Sequence, residues 1–104
     1  MMSAVYRLMS DEERTAAILL AGCHFPLDSV ARDFAPHLGY QAAYEPPLIT
    51  EKQAAMLWRQ VWHYRKQLRH HVLVIENAKR ILTERGELDP NTSAPILKAK
   101  GGVE

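Results

Sequence analysis

The stretch Thr50–His71, TEKQAAMLWRQVWHYRKQLRHH, decides how this chain is read. Thr50 followed three residues later by Gln53 is a capping box, in which each side chain satisfies a backbone N–H left free at a helix start. Ala54, Leu57, Val61, Tyr64 and Leu68 then recur at steps of three, four, three and four, which aligns them on one face of a helix. The rhythm continues through Val72, Ile75, Ala78 and Leu82, and no Gly or Pro intervenes before Gly86. The pattern predicts one long helix over about residues 51–85. A competing reading ends the helix near His70 and makes Val72–Ile75 a strand, because VLVI is rich in β-branched residues. The helix is preferred, since a lone strand has no partner.

On that helix Lys52, Arg59, His63, Lys66 and His70 fall opposite the apolar stripe. Such a face is what any surface helix needs, and it is also a set of cations suited to phosphates. Two tryptophans sit on the flank. Trp58 and Arg65 are seven residues apart, as are Trp62 and Arg69, so each pair lies two turns apart on one side. Trp58 is near enough to the stripe to be buried, whereas Trp62 points further toward the basic face. Packing inside the chain explains such an indole, and so does a partner. Trp with Arg is enriched at binding hot spots, and Trp beside cations suits base stacking on single strands. Lys52, Trp58, Arg59, Trp62, Arg65, Lys66 and Arg69 are therefore the candidate binding residues.

Upstream, Ser10 with Glu13 is another capping box, with acids at 11–13 favoured by the helix dipole. It predicts a helix from Asp11 to Ala21 that stops at Gly22. Pro26 breaks the chain, Asp28 or Ser29 can cap a short helix carrying Val30, Ala31 and Phe34, and Pro36 and Gly39 limit its length. Residues 39–49, GYQAAYEPPLI, read as a loop packed on the body by Tyr40 and Tyr44, with Leu48 or Ile49 as a staple for the long helix. The segment after Gly86 mixes Gly, Pro, Ser and charges and reads as a flexible tail over 87–104, disordered or loosely docked on the body. Asn91-Thr92-Ser93 matches a glycosylation sequon, which has no meaning in a cytosol.

The chain's 104 residues fit one domain, with 47% hydrophobic and 24% charged residues. Its net charge of +1 conceals an asymmetry. Residues 1–50 hold three arginines against six acids, whereas residues 51–71 hold five bases against one acid. Segregation of this kind either steers an anionic partner or lets an acidic half lie against a basic helix. A single cysteine excludes an internal disulfide framework and fits a reducing compartment. The N-terminus has no apolar signal segment, and the run AAILLAGC is too short to span a bilayer, so a cytoplasmic location is expected. Cys23, His24 and His37 lack the close pairing of a zinc site. Cys23 also has no recognisable elbow, oxyanion loop or third partner. No Gly-rich phosphate loop or carboxylate pair is present. The expectation is a protein without catalytic residues, metal or cofactor.

Two stretches resemble small proteins encoded in bacteriophages and prophages, which carry a segment of the form L-T-x-K-Q-x-x-x-L-W-x-x-V-x-x-Y-R-x-Q. Here Leu48-Ile49-Thr50-Glu51-Lys52-Gln53 is followed by Leu57-Trp58, Val61 and Tyr64-Arg65-Lys66-Gln67. Upstream, Phe25-Pro26-Leu27-Asp28-Ser29 and Arg32-Asp33-Phe34 match a second stretch, with Asp33 standing where Arg is expected next to Phe. The likeness spans roughly residues 11–70. It brings no activity with it. It implies a phage or prophage setting, in bacterial cytoplasm, and an accessory role in phage DNA metabolism or in blocking a host system.

The reading is thus an all-α domain over 1–86, two short N-terminal helices packed on one long helix, and a flexible tail. The helix beyond Leu68 projects, so that Val72, Ile75 and Leu82 form a homodimer seam. The function expected is non-enzymatic binding of nucleic acid or of nucleic-acid-processing machinery. The alternatives are an inhibitor or adaptor of a host or phage protein, and a structural homodimer with Trp62 in its own interface.

Overall fold

The structure, a computed structural model, describes residues 5–92, 94 and 95. Its elements run β1 (Tyr6–Leu8), α1 (Asp11–Ala21), α2 (Val30–Ala43), β2 (Leu48–Thr50), α3 (Glu51–His63), a 3-10 helix (Arg65–Leu68) and α4 (Val72–Glu84). Helices dominate, as the sequence predicts, and their arrangement differs from that prediction in two places.

The starts of α1 and α3 follow the two capping boxes. Ser10 Oγ accepts from Glu13 N–H at 3.1 Å, and the Glu13 carboxylate accepts from Ser10 N–H at 2.8 Å. Thr50 and Gln53 exchange the same pair of bonds, both at 3.1 Å. Just ahead of them lies a pairing that the sequence reading did not anticipate. β1 and β2 form an antiparallel ribbon with Tyr6 opposite Thr50, Arg7 opposite Ile49 and Leu8 opposite Leu48. Ile49, fully buried, fastens the ribbon to the core. Arg7 bonds Glu13 in the first turn of α1 and Glu51 in the first turn of α3, so one guanidinium ties both helix starts together.

The first departure is α2, which passes through Pro36 and Gly39 to Ala43. Its cap is Ser29, whose Oγ accepts from Ala31 N–H at 3.1 Å. Ala31, Ala35, Leu38 and Ala42 are buried at helical spacing, and that burial outweighs the bond Pro36 cannot make. Gly39 is needed where it stands: a Cβ there would lie 2.8 Å from the Cβ of Ala21 on α1. The small residue lets the two helices approach. Of the span 39–49 read as a loop, residues 39–43 are thus helix and 48–49 strand.

The second departure is the long helix, which is two helices. α3 ends at His63, and the chain turns through Tyr64, the 3-10 helix and Arg69–His71 before α4 begins. Leu68 and Val74 are both buried, yet six residues at about 100° each would put them roughly 120° apart on one continuous helix. Folding back lets both face inward. The connector between α1 and α2 holds the bend in place. Gln67 accepts from His24 N–H at 2.8 Å and donates to His24 O at 2.9 Å. Tyr64 packs edge-on against Phe25 and its hydroxyl meets Ser29 Oγ at 3.0 Å. α4 then packs on α3 and α1, burying Val74, Ala78 and Leu82. The proposed seam of Val72, Ile75 and Leu82 is therefore corrected: Leu82 is inside the chain's own core, and Ile75 packs against that core.

At Gly86 the segment takes the docked form of the two expected. Gly86 has φ 77° and closes α4 in a Schellman motif, with Gly86 N–H donating to Thr83 O and Glu87 N–H to Leu82 O. The chain does not leave the body there. Leu88 is buried with the core and bridges to Pro95, and Asp89 N–H donates to Ala94 O at 2.9 Å. The rest of the expected tail, Ser93 and residues 96–104, lies outside the described residues. No helix among the described residues is long and apolar enough to cross a membrane.

Candidate nucleic-acid interface

Between Glu51 and Glu76 the chain holds no acidic residue, while it holds Lys52, Arg59, Arg65, Lys66, Arg69 and three histidines. The bend between α3 and α4 concentrates the later part of this set. Arg65, Lys66, Arg69, His70 and His71 are all exposed within seven consecutive residues. A straight helix would have spread them around and along a rod; the turn gathers them at one corner.

Trp62 stands at the edge of that corner, half-buried against the core. The Arg65 guanidinium lies over its ring, Cζ 4.1 Å from the centroid, and donates to the Trp62 carbonyl at 2.8 Å. Indole and guanidinium are thus held together across the turn from α3 into the 3-10 helix. Trp62 also lines an open groove of about 490 Å³, together with His63, Arg65 and the docked segment after α4, with Leu88, Thr92, Ala94 and Pro95. Arg59 crosses the floor of this groove to Glu87, Nε to Oε1 2.7 Å and Nη2 to Oε2 3.3 Å. Donating to the Glu87 carboxylate raises the pKa of Arg59 further.

The seven residues expected to bind therefore separate. Trp62, Arg65, Lys66 and Arg69 share the corner or its margin. Arg59 lines the groove but is neutralised by Glu87. Trp58 is 3% exposed and belongs to the core, so it offers no contact surface. Lys52 sits in the first turn of α3, about 20 Å along the helix from Arg65 at 1.5 Å per residue. It lies beside Val5, Arg7 and Glu51 instead. The sequence reading missed Glu87, Leu88 and Pro95 as groove residues. Their only signal was indirect, since a break after His63 is what brings residue 87 back to residue 59.

Elsewhere the chemistry is sparse. Burial pushes the Cys23 thiol pKa up, the reverse of what a nucleophile needs, and its sulfur is 3.8 Å from the Leu19 carbonyl. Among the described residues no group of three or more His, Cys, Asp or Glu is placed to hold a metal. A second surface is apolar: Ile18 and Ala21 of α1 with Pro36, Gly39, Tyr40 and Ala43 of α2 line a shallow depression. No family model, no curated protein and no solved structure matches this chain.

Proposed function

We propose that this chain is a non-enzymatic, phage-type accessory protein that binds nucleic acid through the corner between α3 and α4. One observation carries the reading: Arg65 preset over Trp62, beside exposed Lys66 and Arg69, in a stretch of sequence free of acids. Phosphates meet the cations, and the indole supplies an apolar plane next to them. Both are parts of surfaces that track a nucleic-acid strand. The net charge of +1 is no obstacle, because the charge is local.

The test is the affinity for a mixed-sequence oligonucleotide as a function of salt. About three phosphate contacts give a slope near −2 in log affinity against log salt, and roughly a 20-fold loss from 50 to 200 mM. Arg65→Ala, Lys66→Ala and Arg69→Ala should each reduce that slope by about 0.7. Salt-independent affinity, or none, contradicts the reading.

A second reading, an adaptor or inhibitor docking on a host or phage protein, is favoured by a different place. The outer face of α2 carries no charged residue from Ala35 to Tyr44 and leaves Tyr40 72% and Tyr44 68% exposed. Under that reading Tyr40→Glu abolishes partner binding while corner variants leave it intact.

A further inference from the structure

We infer that the groove beside Trp62 receives one unpaired base, so that the protein selects single strands over duplexes. The inference rests on the nucleic-acid reading and adds where the base goes. Three features of the groove point to a flat guest that carries a phosphate beside it. Trp62, Ala94 and Pro95 bring apolar surface to its lining, with Leu82 and Leu88 buried behind. Of its charged residues, Arg59 and Glu87 are already matched bidentately, which leaves Arg65 as the arginine of the lining open to a phosphate. Its volume of about 490 Å³ lies in the range of ~300–1,000 Å³ typical of small-molecule sites.

The outer corner extends this cationic edge. Arg65, Lys66 and Arg69 are exposed cations, and none of the three has a salt-bridge partner among the described residues. A strand crossing from corner to groove therefore places its phosphate on the cations and its base against the indole face. Arg65 belongs to both, because its guanidinium covers Trp62 and its position leads the cationic run. The Glu87 carboxylate retains lone pairs beyond those used by Arg59, and these accept from the N–H groups on a base edge. In a duplex those edges are paired and the ring faces stacked, so a base must first leave the helix to enter.

The experiment compares three ligands by fluorescence anisotropy at low salt: a labelled mixed-sequence single strand, its duplex, and a strand of equal length made wholly of abasic units. The inference predicts that the natural strand binds at least tenfold tighter than either of the others. Trp62→Ala should weaken the natural strand by roughly 5- to 150-fold, the stacking contribution of a base converted to affinity, and Trp62→Phe should restore most of it. Ala94→Leu fills the groove from its exposed wall without touching the core, and should reduce the preference for the natural strand even where Trp62→Ala fails to fold. Equal binding of natural and abasic strands, or of strand and duplex, overturns the base pocket while leaving phosphate binding intact. Absence of binding to all three overturns both.

Discussion

Single residues decide matters here that composition does not. Gly39 is one. Replacing a helical Gly by Ala ordinarily stabilises by roughly 0.5–1 kcal/mol. At Gly39 the added carbon meets Ala21 Cβ at 2.8 Å, and overpacking costs about 1–3 kcal/mol. The second effect is the larger, so Gly39→Ala should lower the midpoint of chemical unfolding. Gly22→Ala, whose nearest neighbour is 3.6 Å away, should not lower it appreciably. The two tryptophans give a similar contrast. Trp58→Ala should cost about 3–5 kcal/mol of stability as a core truncation, whereas the main effect of Trp62→Ala should be on binding. Urea unfolding of both variants separates them. Glu13 supplies a pH dependence. Burial by itself raises its carboxyl pKa, but the bonds from Arg7 and the Ser10 backbone prevail and hold it below its ordinary 4.5. A depressed folded-state value means that this stabilisation is complete above 4.5 and is lost as pH falls through the folded value. Glu13→Gln should therefore flatten the acid limb of a stability–pH curve, and an unchanged limb contradicts the Arg7 clamp.

At the scale of elements, the parts legible in the sequence were those set by local chemistry. Ser10 with Glu13 and Thr50 with Gln53 marked two helix starts, and Gly22 and Gly86 two helix ends, because a cap acts within a few residues of itself. The illegible parts were set by distant partners. Nothing near Pro36 says that α2 continues; the continuation comes from Ala35, Leu38 and Ala42 burying against other elements. Nothing near Tyr64 says that the helix stops, for the apolar rhythm carries on in a plausible phase. The stop is held by Phe25, Ser29 and the His24 backbone, around forty residues earlier. For the binding face the same split holds. The sequence pairs Trp58 with Arg65 and Trp62 with Arg69 by heptad spacing, whereas the turn after α3 sets Arg65 over Trp62, and the Arg59–Glu87 pair depends on the whole helix hairpin. Ser29→Ala tests this account of the bend. It removes the α2 cap and strands the Tyr64 hydroxyl, and should cost about 1–2 kcal/mol by thermal unfolding, more than a cap alone in an isolated helix.

For the molecule as a whole, the hairpin of α3 and α4 converts a rod with a basic side into a body with a basic corner. The acidic first turns of α1 and α3 are drawn together by Arg7. The acid-free bend is held by the α1–α2 connector and carries Arg65, Lys66 and Arg69 outward. Leu88 pins the segment after α4 beside Trp62 and so builds the groove wall. That account locates function at one place, and backbone amide shifts in a two-dimensional NMR titration with a short single-stranded oligonucleotide test it most directly. It predicts that shifts concentrate on residues 62–71 and on Glu87–Asn91. Shifts confined to the outer face of α2 around Tyr40 and Tyr44, or none at all, would contradict it.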